Sequence, residues 1–158
     1  MGPAQGRMII YLLLKYPKLG YTLFAIWCSR MCTERPTILV VDDEPLVRKF
    51  LYDILTGAGY RVLEGLFAEN ALRLCQQHPN PIHLLLTDIN MPDMNGRALT
   101  ALIRGLRPEI RVLFISSDED GLPATGPNSK EDSAFLLKPF SPDTLRWKVR
   151  ELLSVPNQ

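Results

Sequence analysis

From Thr37 onward, short runs of β-branched residues and leucine alternate with segments whose apolar residues recur every three or four positions. That alternation is the sequence form of an α/β domain. Parallel strands need long crossovers, and helices packed on both faces of the sheet supply them. Five strand–helix units can be counted, the fourth irregular.

The first strand spans Thr37 to Val41 and ends in Asp42-Asp43-Glu44, with Pro45 suited to the first turn of a helix. Leu46, Val47, Phe50, Leu51, Ile54 and Leu55 recur on that helix as one face, and Gly57 and Gly59 mark its end. Tyr60 to Leu63 is a second strand; Ala68, Ala71, Leu72 and Cys75 predict a helix to about Gln77, before Pro79 and Pro81. Leu84 to Leu86 read as a central strand buried on both faces, delivering Asp88 at its carboxyl end. After the turn residues Met91-Pro92-Asp93, Leu99, Leu102, Ile103 and Leu106 predict a third helix, and Val112 to Ile115 a strand ending at Ser116. Phe135 to Leu137 is a fifth strand, handing over to Lys138-Pro139 and a last helix carrying Leu145, Val149, Leu152 and Leu153.

Two stretches fall outside the pattern. Asp118 to Ser133 reads DEDGLPATGPNSKEDS, too polar and too rich in proline and glycine for an amphipathic helix, so a loop or a single turn is expected. Residues 1–36 form an N-terminal extension whose apolar stretch, Met8 to Cys28, is interrupted by Lys15, Pro17, Lys18 and Gly20. No run approaches the ~20 residues needed to span a bilayer, and the run Met8 to Leu14 is short for a signal peptide. The leading reading is an upstream extension or poorly packed tail with Met31 as the true start. A membrane-surface anchor and a helix packed on the domain are the alternatives. One domain is expected at 37–154, with a tail at 155–158.

Composition narrows the function. The 158 residues, 46% hydrophobic, suit a single core. With 18 basic and 17 acidic side chains the formal charge is +1, which gives no footprint for direct nucleic-acid binding. Cys28, Cys32 and Cys75 cannot all pair within one chain, and Cys28 and Cys32 have no histidine near them to complete a zinc set; a reducing, cytoplasmic setting is expected. Cys75 reads as core, Trp147 as a packing residue, and His78 and His83 as surface or loop histidines.

In a right-handed doubly wound sheet the carboxyl ends of neighbouring strands converge on one crevice. Asp42, Asp43, Asp88, Ser116 and Lys138 all fall at such ends. Asp42 and Asp43 alone would pass as helix-capping acids, but polar residues at the ends of four apolar strands are costly unless they do chemistry. Carboxylates at 4 Å repel by ~1 kcal/mol in water and ~4 at an effective dielectric of 20. A hard divalent cation relieves this, and oxygen-only ligands favour Mg²⁺. Such a set suits phosphoryl transfer: Asp88 as carboxylate nucleophile, with Mg²⁺, Lys138 and the Ser116 hydroxyl on the phosphoryl oxygens.

The motifs ILVVDDE (Ile38 to Glu44), LLLTDINMPDMNG (Leu84 to Gly96), VLFISS (Val112 to Ser117) and FLLKPF (Phe135 to Phe140) resemble, in order and spacing, those of response-regulator receiver domains of the chemotaxis-regulator type. The resemblance covers residues 37–154. It implies a flavodoxin-like five-stranded parallel sheet of order 2-1-3-4-5, with the fourth helix here short or replaced by a loop. It also implies that Asp88 is the phosphoacceptor, Asp43 a direct Mg²⁺ ligand, Asp42 a ligand through water, and the Asn90 backbone carbonyl a further ligand. Ser116 and Lys138 become phosphoryl contacts, Phe135 the switch aromatic, and Asn90 and Asp118 neighbours of the phosphoryl group. The implied partners are a histidine kinase or phosphotransfer protein as donor and a downstream protein reached by contact, with no catalysis beyond the domain's own phosphorylation and dephosphorylation.

Phe135 lacks a hydroxyl and burying its ring is worth ~1.5 to 3 kcal/mol, so an inward ring is expected even without phosphate. Two other functions compete. A pseudo-receiver would keep the fold as an interaction module and take no phosphate. A Mg²⁺-dependent phosphatase of the haloacid-dehalogenase type needs a second aspartate two positions after the nucleophile, where this chain has Asn90.

Overall fold

The structure, a computed structural model, describes residues 35–117 and 133–154. Residues 1–34 of the N-terminal extension, with Met31 as a start and Cys28 and Cys32, the 118–132 segment with Asp118, and the tail after Ser154 lie outside the described residues.

Five strands form one parallel sheet in the order β2-β1-β3-β4-β5. They are β1 (Thr37–Val41), β2 (Arg61–Gly65), β3 (Leu84–Asp88), β4 (Arg111–Ser116) and β5 (Ser133–Leu137), joined by described helices α1 (Pro45–Gly57), α2 (Ala68–Gln77) and α3 (Gly96–Leu106) and followed by α4 (Pro142–Ser154). None of the described helices is long and apolar enough to cross a membrane.

The two-residue period of the strands splits the core into two layers. Leu39, Val41, Leu85, Val112 and Phe114 face α2 and α3, meeting Ala71, Cys75, Leu99 and Ile103. Ile38, Val40, Leu84, Leu86, Leu113 and Ile115 face α1 and α4, meeting Leu51, Leu55, Leu145 and Val149. The triple leucine at 84–86 therefore serves both layers, as a strand buried on both faces must.

Helix ends follow local chemistry. Gly59, at φ 92°, closes α1: its N–H donates to Thr56 O (2.9 Å) and the Tyr60 N–H to Leu55 O (3.1 Å), a left-handed stop that glycine makes without strain. Asn95 caps α3, its Oδ1 accepting from the Arg97 N–H (2.9 Å). The carboxyl end of α2 is satisfied from outside: the Arg107 guanidinium donates to Cys75 O, His78 O (2.6 Å) and Asn80 O (2.9 Å).

The helical faces are narrower than the sequence suggests. Leu46 is 84% exposed, and Phe50, Leu102, Leu106 and Trp147 are also exposed. Each flanks a stripe that already fills the space above the sheet; on α1 that stripe is Leu51, Ile54 and Leu55. Phe50 instead sets its ring 6.3 Å from that of Phe140, and the Lys148 ammonium lies 4.8 Å from the Trp147 ring. His83 is also more than a loop residue. Half-buried, it accepts the Thr37 N–H on Nδ1 (3.0 Å) and bridges the amino ends of β1 and β4 through its backbone.

Candidate functional site

Strand register brings the candidate residues to one edge of the sheet. Val41 pairs with Thr87, Asp88 with Ile115 and Ser116 with Leu137, so Asp42, Asp88, Ser116 and Lys138 reach the carboxyl ends within one step of each other. β1 and β3 are adjacent although α1 and α3, the helices that follow them, lie on opposite faces of the sheet, so the crevice opens where the winding reverses, the usual place for a ligand in such sheets.

Asp88 is the centre of the cluster and is buried. The Lys138 ammonium donates to its Oδ2 at 2.5 Å, and the Asn90 backbone N–H to its Oδ1 at 2.8 Å. Lys138 also faces Asp42 Oδ2 at 3.6 Å and Glu44 Oε1 at 3.9 Å. Its own N–H donates to Ser116 O (2.8 Å), which fixes the start of the β5–α4 turn against β4, and the Lys138–Pro139 peptide is cis. Ser116 is buried at the end of β4, Asp43 is half-buried beside Asp42, and Asn90 is exposed.

Asp42 has no exposure at all. One oxygen accepts the Glu44 N–H (2.8 Å); the other, Oδ2, is buried without a hydrogen bond. Burial, opposed by that hydrogen bond and by Lys138, holds its carboxyl above the ordinary carboxylate range, and the charges of Asp88 and Asp43 push the same way. For Lys138 burial acts downward, but the Asp88 hydrogen bond and the charges of Asp42, Asp88 and Glu44 outweigh it and raise the ammonium above its usual range. The centre is thus short of positive charge. No three His, Cys, Asp or Glu side chains among the described residues are gathered closely enough to hold a metal ion as they stand. The orphaned Asp42 oxygen nevertheless fits a hard cation: it is a buried anionic acceptor with no donor.

A raised carboxyl pKa has a definite sign in stability. The unfolded chain releases its proton first, so the contribution of Asp42 falls as pH rises from the unfolded value of about 4 towards the folded one. Asp42→Asn keeps an acceptor for the Glu44 N–H and removes the buried charge. In metal-free buffer at pH 7 it should stabilise the domain by about 1 kcal/mol, raising Tm by a few degrees, with the gain vanishing near pH 3. Thermal melts across that range check this; a lower Tm at pH 7 would mean that attraction to Lys138 outweighs burial.

Phe135 is half-buried and stacks on Phe114, with ring centroids 5.0 Å apart and planes at 19°. Its ring packs against the α2/α3 core, and the Arg97 guanidinium lies 5.5 Å from its centroid.

Residues not singled out from the sequence also shape the site. Arg48, buried on α1, donates to Asp42 O (2.7 Å) and faces Glu64 at 3.4 Å, anchoring the end of β1. Gly96 sits where a Cβ would stand 2.1 Å from Asp88 O. Asp93 reaches across to α2, its Oδ2 accepting the Ala68 N–H at 2.7 Å. The first and last have no local signature, since their partners are distant in sequence or become apparent only on folding.

The sheet order and this crevice define a flavodoxin-like α/β domain with an aspartate–lysine centre at its switch point. Residues 38–150 match the family model of the response regulator receiver domain, and the chain belongs to that family, the receivers of two-component systems. It is similar to the crystal structure of the receiver domain from the hybrid histidine kinase CckA: TM-score 0.63 and 34% identity, over 75% of this chain and 99% of that one. A signal receiver domain of an HD domain-containing protein from Pseudomonas fluorescens Pf-5 superimposes with TM-score 0.66 at 27% identity, covering 76% and 95%. Among curated proteins, the chain is 31% identical to sensor kinase CckA of Brucella abortus over 74% of this chain and 12% of that protein. It is also 31% identical to the transcriptional regulatory protein AruR of Pseudomonas aeruginosa, over 75% and 49%. The chain thus spans half or less of these curated relatives.

Proposed function

We propose that this receiver works as a phosphorylation switch, taking a phosphoryl group on Asp88 from a phosphohistidine on a histidine kinase or phosphotransfer protein in the cytoplasm. The observation that carries this reading is the Asp88 carboxylate itself. It is buried at the end of the central strand, with one oxygen on the Asn90 N–H and the other on the Lys138 ammonium. These contacts orient the carboxylate as a nucleophile.

In the reaction an Asp88 oxygen attacks phosphorus in line, the P–N bond to imidazole breaks, and the ring nitrogen keeps the electron pair and takes up a proton. Lys138, already at the carboxylate, follows the charge onto an equatorial phosphoryl oxygen, and the Ser116 hydroxyl can donate to another. Hydrolysis of the acyl phosphate by water resets the domain, so its chemistry is confined to its own modification. Asp42, Asp43, Asp88 and the Asn90 carbonyl would hold Mg²⁺, which would supply neutralisation of the charge that builds up as the phosphoryl group is transferred. Phe135 would couple Ser116 to the surface through its stack on Phe114. Output would be by contact with a downstream protein rather than by direct binding of nucleic acid.

The test is to incubate the full chain with acetyl phosphate and MgCl₂ and weigh it intact. The expected result is one added phosphoryl group, absent when excess EDTA is included from the start, with the acyl phosphate reduced by borohydride to homoserine at position 88. An unmodified wild type would favour the pseudo-receiver, and steady turnover of a phosphomonoester would favour a phosphatase.

A further inference from the structure

Helix α2 begins without a cap of its own. Its N-cap residue is Phe67, whose side chain makes no capping hydrogen bond, so the Ala68 N–H would be left orphaned at a partly buried helix end. Asp93, 25 residues further on, fills that role, its Oδ2 accepting the Ala68 N–H at 2.7 Å. A carboxylate is the favoured group there, since it meets the positive end of the helix dipole as well as the N–H.

Asp93 belongs to the segment between Asp88 and α3, and that segment is tied down at every turn. Ile89 is buried, and its N–H donates to Ile115 O (3.0 Å). Asn90 N–H donates to Asp88 Oδ1, Met91 is buried in the α2/α3 core, Asn95 caps α3, and Gly96 N–H returns to Ile89 O (2.9 Å). Between buried Met91 and the Asn95 cap, half-buried Met94 packs on the same core, and the Asp93 carboxylate makes the hydrogen bond that ties this segment to α2. It stands three residues from Asn90, whose amide orients the nucleophile.

We propose that Asp93 is a positioning residue for the phosphoacceptor: by capping α2 across the fold it sets the path of residues 89–95 and thereby the Asn90 N–H that orients Asp88. This rests on the reading of Asp88 as the acceptor. It predicts that the cap contributes to chemistry, and not only to the stability of α2.

The experiment compares Asp93→Ala and Asp93→Asn in the full chain. Amide hydrogen exchange by NMR, without metal or phosphodonor, reads the geometry directly. In Asp93→Ala, protection should fall about tenfold at Ala68, as for a lost cap, and also at Asn90; Asp93→Asn, which keeps an acceptor oxygen, should restore both. The rate of acetyl phosphate modification should fall about tenfold in Asp93→Ala, with a higher half-saturating Mg²⁺ concentration, and recover in Asp93→Asn. Loss of protection at Ala68 with unchanged protection at Asn90 would overturn the proposal, leaving a cap and nothing more. So would wild-type kinetics in Asp93→Ala. If the wild type itself takes no phosphate, the reading of Asp88 fails alone, and the exchange at Asn90 still decides whether Asp93 positions the loop.

Discussion

Asp88→Asn is expected to abolish phosphoryl uptake, by more than about a thousandfold, while leaving the domain folded. The substitution is nearly isosteric. The amide oxygen can still accept the Asn90 N–H, which Asp88 Oδ1 now accepts at 2.8 Å, so the loop keeps its anchor. What is lost is the nucleophile, because a neutral amide oxygen does not form a stable bond to phosphorus under these conditions. The new amide nitrogen faces the Lys138 ammonium, which would turn towards Asp42 Oδ2, now 3.6 Å away and without a hydrogen bond. That alternative partner is why Tm should move by only a few degrees. Intact mass after acetyl phosphate treatment, with a melt on the same sample, reads both effects. Undiminished modification in a folded Asp88→Asn protein would place the acceptor elsewhere.

Gly96→Ala should be the most damaging single methyl in the domain. Its Cβ would lie 2.1 Å from Asp88 O and 3.1 Å from both the Asp88 carbonyl carbon and Thr87 Oγ1. The obstacle is the backbone of the central strand, which cannot swing aside as a side-chain tip can. Thr87 Oγ1 donates to the same carbonyl (3.0 Å) and the Gly96 N–H bonds Ile89 O, so any retreat of α3 breaks contacts next to the acceptor. A loss of about 3 kcal/mol or more is expected, on the order of 10 °C or more in Tm for a domain of this size. Gly105→Ala, on the same helix with open space around it, is the control and should stabilise by about 0.5 to 1 kcal/mol. Urea melts of the two variants side by side check this; equal effects would mean that α3 is not pressed against β3.

Much of this domain was legible in the sequence because its strands carry two kinds of information at once. The apolar runs at Thr37–Val41, Leu84–Leu86 and Val112–Ile115 fix the strands, and the polar residues that end them mark the crevice. The sheet order itself came from the family resemblance, since alternation alone leaves several orders open. Periodicity overstated the buried faces, placing Leu46, Phe50, Leu102 and Leu106 with the core, because it counts apolar residues and not the width of the groove that receives them. Asp93 reads locally as a turn residue, because its partner Ala68 is remote in sequence. Arg48 was hidden for a related reason, a charge in a helical stripe that becomes a buried anchor only when Asp42 O is brought to it.

Helix α2 is held at both ends by residues that bracket its neighbour. Asp93, just before α3, sits on its first amide, and Arg107, just after α3, on its last carbonyls, each with the sign that the helix dipole asks for. The two helices are therefore yoked like the rails of a ladder: α2 cannot tilt without dragging both flanks of α3. A displacement that begins beside the acceptor should reach the far end of α2 as one stiff swing, and the pair should open to solvent together, never one at a time.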